Sequence, residues 1–460
     1  MHSSRFLIVS LLVIFFVSSL LAQSAVVQRY DADAHKIVKE ALVSNKSMEA
    51  LTDLCTSVGN RISGSPQAAK AVEWVKKKME EYGFENVHLE SVMVPHWVRG
   101  PVEEAYLLLP SGEREKLRIT TLGGSIGTSP GGITAEVVEV KSRDELMKLG
   151  DKAKGKIVFF NRPMDRSQLS TFSAYGGAVD QRGAGAIWAA SYGGVAALVR
   201  SMTTRIDDSP HTGAMGYVDS IKKVPAAAIS TRGAEELSKL LAQGVPVRIQ
   251  LRLSAQTLPD VESANVVGEL KGTEKPDEVI VIGGHLDSWD IGQGAQDDGA
   301  GVVQSIEAIR ILKQLGMKPK RTIRAVAFMN EENGDRGGLA YAAKDRPGEK
   351  TIAAMESDEG GFVPRGIGIA DSAVFVKVLP WAPLFRSFGA DRITLGGGGV
   401  DIGPLAKRGV PLMSLSPDQN RYFDAHHSEN DNLGAVNERE LALGAATMAI
   451  FSYVMAQEGL

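Results

Sequence analysis

Gly283-Gly-His285-Leu-Asp287-Ser-Trp-Asp290-Ile-Gly-Gln-Gly-Ala-Gln-Asp297-Asp298-Gly-Ala-Gly301 is the stretch from which the rest of the chain can be read. Val279 to Ile282 before it is a continuous apolar run, the pattern of a buried parallel strand. Val302 onward (VVQSIEAIRILKQL) carries apolar residues at helical spacing. Between strand and helix lie one histidine, four aspartates and several glycines. The carboxyl ends of parallel strands open into a crevice, and metal ligands and catalytic groups collect there. The stretch therefore points to a metal-dependent hydrolase whose remaining ligands lie elsewhere in the chain.

The bulk composition narrows the classes. At 460 residues the chain is too long for one ordinary core, so two domains are expected. It is 43% hydrophobic and 23% charged, which is globular. The formal net charge is -4 and no basic run tracks phosphates, which argues against nucleic acid as a partner. Cys55 is the only cysteine. No disulfide framework or thiolate metal site can form, so a metal must be held by His, Asp and Glu. Met1 to Arg5 is a short basic start, Phe6 to Leu21 an apolar core, and Ala22-Gln-Ser24 a small-residue cleavage site. Residues 1–24 are thus a signal peptide, short for a membrane span, and the mature protein is expected to be exported to a periplasm or the outside, with no membrane association after cleavage.

The order of elements predicts an α/β fold with a mostly parallel central sheet flanked by helices. Ile37 to Cys55 and Ala68 to Tyr82 have helical periodicity, and Asn86 to Val94 reads as a strand. From about residue 118 the texture changes: glycine-rich turns separate short strands at Ala135–Val140, Lys156–Phe160, Ala186–Trp188 and Val247–Leu251, with a helix at Gly233–Gln243. We expect a catalytic domain in two parts, 25–117 and 256–460, around an inserted α/β domain at 118–255. In the second part, strands are expected at Ala264–Leu270, Glu278–Ile282, Thr322–Met329, Thr351–Met355 and Val410–Ser414, and a final helix at Glu438–Ala456.

Three further places collect ligand-type residues. A strand from Arg321 ends in Glu331-Glu332. Adjacent carboxylates on an extended backbone point opposite ways, so one can hold a metal while the other faces a water; alone, the pair could equally be a solvated acidic turn. Thr351–Met355 runs into Glu356-Ser-Asp358-Glu359. Tyr422-Phe-Asp-Ala-His426-His427-Ser-Glu-Asn-Asp431 places two histidines beside acids. His, Asp and Glu delivered from separate strand ends and a loop suit a two-metal site with a bridging carboxylate. Nitrogen and carboxylate donors without thiolate favour zinc.

In these motifs the chain resembles the co-catalytic bizinc exopeptidases, the family of bacterial leucyl aminopeptidases and glutamate carboxypeptidases, and within it the carboxypeptidase Q type. The resemblance runs over nearly the whole mature chain and includes Ser209-Pro-His211-Thr-Gly213. It implies a zinc exopeptidase fold, two zinc ions per chain and a peptide substrate. One zinc would be held by His285 and Asp358, the other by Glu332 and His427, with Asp297 bridging them. His427 is preferred to His426 because its spacing to Asp431 matches the family. Glu331 would be the general base, Asp287 the group that orients the His285 ring, and Asp297–Asp298 a cis peptide. The resemblance makes the insert a protease-associated, lid-like domain and implies a homodimer. Tyr422 and Asp401, the latter in a glycine-rich loop from Leu395 to Gly403, are weaker substrate-binding candidates. Asn432 stands where the family has threonine, which touches local substrate contacts and not the metals.

Two activities fit this set: hydrolysis of dipeptides or short peptides with free termini, and aminopeptidase release of N-terminal residues. Three other readings compete less well. Gly123-Gly-Ser125-Ile-Gly127 fits a serine-hydrolase elbow, but Thr128-Ser-Pro130 follows where a helix should begin. An inactive binding protein of the same fold would have lost ligands, and a single-zinc cyclase would not need the bridging aspartate. No Gly-Lys-Ser/Thr follows the glycines at 396–399, so a phosphate cradle is discounted.

Overall fold

In a computed structural model the chain is described over residues 25–460; the signal segment at 1–24 lies outside the described residues. An eight-stranded sheet forms the centre. Its strands are β1 (Glu85–Val98), β2 (Gln256–Leu270), β3 (Lys275–His285), β4 (Arg321–Phe328), β5 (Lys350–Glu356), β6 (Pro364–Ile369), β7 (Arg392–Leu395) and β8 (Leu412–Pro417), in the order β1-β2-β4-β3-β5-β8-β6-β7. The middle four, β4-β3-β5-β8, are parallel, and β1, β2 and β6 pair antiparallel at the flanks.

Both faces are covered. Ile280 and Ile282 face one core with Ile323, Ala325 and the helices Ala300–Gln314 and Glu438–Glu458, while Val279 and Val281 face another with Phe328, Tyr341 and Leu405. That is why the β3 run is apolar without alternation. Glu438–Glu458 is long and apolar enough to cross a membrane, but 89% of its apolar window is buried, so here it is a core helix. The periodicity from Ile37 to Cys55 belongs to two helices, residues 25–44 and Lys46–Asp53, broken where Asn45 turns left-handed (φ 50).

A second eight-stranded sheet lies between β1 and β2 in sequence. Its strands run from Glu103–Leu108 to Arg248–Leu253. The expected start at residue 118 is therefore too late: Glu103–Leu108 and Arg114–Leu117 already pair within this sheet. The physical boundary is the β1–β2 ladder, where Val98 pairs with Gln256 and brings the exit and return of the chain side by side. Ala186–Trp188, expected as a strand, lies in the helix Asp180–Ser191. Of the strands that build this region, Ala226–Ile229 has three alanines in four residues and Ala196–Arg200 begins with two, and the weak strand propensity of alanine hides them.

Candidate metal centre

The parallel register sets the carboxyl ends level: His285 pairs with Phe328 of β4, and Gly283 with Glu356 of β5. The loops after β3, β4 and β5 then bring His285, Glu331-Glu332 and Asp358 to one edge. There the side chains form two pairs around Asp297. His285 Nε2 lies 3.1 Å from Asp297 Oδ1 and 3.2 Å from Asp358 Oδ1. His427 Nε2 lies 3.0 Å from Glu332 Oε2 and 3.4 Å from Asp297 Oδ2. His426 Nε2 is farther, 4.0 Å from Asp297 Oδ2, and its ring stacks on His427 at 3.5 Å. Among the described residues, Asp297 with Asp358 and His285, and Asp297 with His426 and His427, are the two groups whose donor atoms converge closely enough to hold an ion.

The electrostatics fit a cation. Burial, followed by neighbouring carboxylates, pushes Glu331 and Glu332 well above the usual carboxylate range. Burial pushes His427 well below its ordinary value, with His426 and Arg182 adding to it, so the ring is neutral as a metal ligand must be. At His285 burial opposes the charged form, but Asp358 and Asp297 outweigh it. Asp297 Oδ2 is buried without a hydrogen-bond partner. Beside it Trp289, Glu332, His427 and Asp431 help to line a cavity of about 10 Å³, room for one water-sized particle. The set fits zinc in donor type, and one carboxylate with an oxygen toward each histidine fits a bridge.

Surrounding groups fix these side chains. The Asp297–Asp298 peptide is cis, as the resemblance implies. Asp298 accepts from His285 N at 3.0 Å and Gly301 N at 2.9 Å, joining the end of β3 to the following helix. Asp431 accepts from Gln296 N at 2.6 Å and Asp297 N at 3.3 Å. Asp287 acts differently from the expectation. The His285 ring contacts its main-chain carbonyl (Nδ1 to O, 2.9 Å), while its carboxylate accepts from Asn330 N at 2.7 Å and Glu331 N at 3.0 Å. The carboxylate is spent on the Asn330 and Glu331 amides, so it orients the turn that carries Glu331 and the carbonyl orients the imidazole.

Several supports have no signal in the motifs. Arg61 is fully buried and donates to Leu286 O (2.6 Å), Gln293 O (2.9 Å) and Gly294 O (2.8 Å), stitching the turn from residues 59–66 to the metal loop. Asp290, which had no role in the sequence reading, takes Arg99 Nε on both oxygens at 3.0 Å, and Arg99 also donates to Thr120 Oγ1 at 2.8 Å. The metal loop is thereby tied to the entry of the insert. Trp289 stands edge-on to His427 at 5.6 Å between ring centroids.

The weaker candidates divide. Tyr422 lies at the centre's edge, stacked on Phe172 at 5.3 Å, and burial with Asp297 and Asp358 next in order holds its phenol protonated. Asp401 is 0% exposed and presents no surface to a substrate; it is packed beside Glu356 behind the site. Its loop has glycines because Gly396 to Gly398 hold φ between 108° and 139°, and a Cβ on Gly399 would meet the Glu356 carboxyl at 2.2 Å. Ser125 is buried and its hydroxyl is occupied, accepting from Ala226 N at 2.8 Å and donating to Ile126 O at 2.9 Å. It is a structural serine, and no helix follows it.

The model of Peptidase family M28 matches residues 265–452. Human carboxypeptidase Q is 39% identical over 417 residues, covering 90% of this chain and 85% of that protein. The Xenopus laevis carboxypeptidase Q is 40% identical over the same length. The chain belongs to peptidase family M28. It is therefore a metallopeptidase of that family, and the resemblance read from its motifs holds. The crystal structure of a peptidase M28 precursor from Shewanella amazonensis superposes with a TM-score of 0.89 at 35% identity, covering 94% of this chain and 98% of that one. The Bacillus subtilis zinc aminopeptidase shares the fold at a TM-score of 0.66 and 17% identity, covering 91% of this chain and 96% of that one.

Proposed function

We propose that this M28 peptidase is an exported zinc exopeptidase that cleaves dipeptides or short peptides with free termini, in the manner of its carboxypeptidase Q relatives. The observation that carries this reading is Asp297, with one oxygen toward His285 and the other toward His427. Two zinc ions, one with His285 and Asp358 and one with Glu332 and His427, would supply a Lewis acid and a water acidic enough to attack a peptide carbonyl. With the metals bound, Glu331 would accept a proton on its carboxylate and return it to the leaving amine. Asp287 holds the turn that aims Glu331. Tyr422, which burial keeps protonated, would donate toward the attacked carbonyl.

The second sheet serves as the protease-associated lid over this edge, and the chain works as a homodimer after its signal peptide is removed. A panel of dipeptides blocked at either end, with and without chelator, tests the activity. Loss on C-blocking alone supports carboxypeptidase-type action, loss on N-blocking alone the aminopeptidase alternative, and chelator-insensitive cleavage overturns both.

A further inference from the structure

The ligand side chains at the centre are unequally exposed. Those of His285 and Glu332 are 1% exposed, Asp297 5% and His427 9%, but Asp358 is 22% exposed. Glu331 is half-buried as well. A substrate therefore reaches the centre between Asp358 and Glu331.

The next residue, Glu359, stands at that opening. It is half-buried. Its Oε2 accepts from Gln419 Nε2 at 2.9 Å, and no Lys, Arg or His pairs with it among the described residues. Other acids around the centre are accounted for. Asp287, Asp298 and Asp431 accept from main-chain amides, and Asp297, Glu332 and Asp358 would hold the metals. Burial pushes the Glu359 carboxyl up to about 7, Gln419 offsetting part of this and Asp358 adding to it, as expected for an anion that lacks a compensating cation.

The side chain is held in place from both directions. Gly360 after it takes φ 82°, and a Cβ there would fall 2.8 Å from the Phe362 ring, so the turn that presents Glu359 needs glycine. Gly361 N donates to Gln296 Oε1 at 2.6 Å. Gln419 is fixed from the insert: its carbonyl accepts from Thr171 Oγ1 at 3.0 Å, and Phe172 of the same helix, Thr171–Gly176, stacks on Tyr422. Glu359 is thus a positioned anion at the opening, additional to those a metal pair would neutralise.

We propose that Glu359, positioned by Gln419, selects a lysine or arginine side chain on the residue N-terminal to the scissile bond. An unneutralised carboxylate repels a substrate's α-carboxylate, so the residue carrying the free amine lies over the Asp358 side. Its α-nitrogen is about 2.5 Å from the attacked carbon and so stays beside Asp358. Glu359 lies one Cα step further, ~3.8 Å, with its carboxyl drawn toward Gln419. A lysine or arginine side chain has that reach, and an α-amine does not. This rests on the exopeptidase reading and names its preferred substrates: short peptides with a basic residue before the cleaved bond.

The test compares Lys-Ala with norleucyl-Ala, which keeps the carbon stem and lacks the charge, at about pH 8, where carboxylates are ionised. First, the wild-type enzyme is assayed on a panel of unblocked dipeptides with and without chelator. Absent or chelator-insensitive hydrolysis of the whole panel would sink the exopeptidase reading itself. On the pair, the expected result is a preference for Lys-Ala on the order of 10-fold in kcat/KM, the low end for a hydrogen bond to a charged group. Equal kcat/KM would overturn the role of Glu359 while leaving that reading standing. In Glu359→Gln the preference should collapse to about one, with metal content equal to wild type. Glu359→Lys should reverse the charge selection and take Glu-Ala ahead of Gln-Ala. An equal loss on Lys-Ala and norleucyl-Ala in Glu359→Gln would show that Glu359 serves the fold or the α-amine, and overturns the proposal. Binding supplies a readout apart from turnover. By calorimetry, the wild type should bind free lysine on the order of 10-fold tighter than norleucine, and Glu359→Gln should not discriminate. Both amino acids carry the same α-amine, so equal binding by the wild type would overturn the side-chain contact.

Discussion

His285 and Asp358 stand at the ends of β3 and β5, which are hydrogen-bonded neighbours in the parallel part of the sheet, with Gly283 opposite Glu356. Glu332 and His427 have no such common footing. Glu332 follows β4, while His427 lies past the short helix Tyr422–Ala425 in a left-handed conformation (φ 59). The insert holds that second position: Thr212 N donates to His427 O at 2.8 Å, and Arg182 and the Ser209 hydroxyl reach the same loop. His285, Asp358 and Glu332 are thus placed by sheet register, and His427 alone by contacts between segments more than two hundred residues apart. Placement by sheet register is rigid, whereas placement by the insert couples His427 to how the second sheet docks.

Asp297 belongs to both halves, so its removal is the largest test of whether they are one unit. Asp297→Ala should release metal from both positions and abolish hydrolysis, read by metal analysis of the purified protein. Retention of one ion per chain would show two independent sites. Next in size, Glu331→Gln should keep both ions and lower turnover on the order of 10²–10⁴-fold. Substantial residual turnover would remove Glu331 as the base. Asp358→Ala and His427→Ala should then separate the halves, each lowering the ion count by about one.

The same division marks what the sequence could disclose. The convergence of the strand-end candidates was legible because an apolar run followed by His, Asp or Glu is a local pattern, and parallel strands bring their ends together. The role of Asp287 was half legible: spacing placed it beside His285, but only the fold shows that the carbonyl meets the ring while the carboxylate takes the Asn330 and Glu331 amides. Arg182 and Arg61 were not legible at all, and Thr212 only as part of the Ser209–Gly213 stretch. Their partners are set by how the insert docks, and no local periodicity encodes that. The alanine strands of the insert were missed for a related reason: full burial between covered faces selects small side chains that carry little strand preference.

Two ties between insert and metal loops sharpen the comparison at smaller scale. Asp290→Ala removes the carboxylate from Arg99, whose side chain is 9% exposed. Loss of a mostly buried pair is costly, but Arg99 keeps Thr120 Oγ1, Thr121 O and Glu103 as partners. The expected destabilisation is about 1–2 kcal/mol, a fall of a few degrees in Tm by calorimetry.

The smallest effect is expected at Arg118–Glu429, a 2.8 Å pair that also links insert to His427 loop. It looks equivalent to the Arg99 tie in a contact map, yet its side chains are 53% and 50% exposed. Water competes for both charges, and ordering two long side chains offsets much of the attraction, so Arg118→Ala should cost below ~0.5 kcal/mol. Glu429 also keeps the Ser209 hydroxyl at 3.2 Å. Metal content and Tm should therefore match wild type within error, because the loop is held by the Thr212–His427 backbone bond and by burial. A loss of one ion in Arg118→Ala would instead mean that a surface charge pair seats His427, and the second half of the centre would be far less firmly built than the buried contacts indicate.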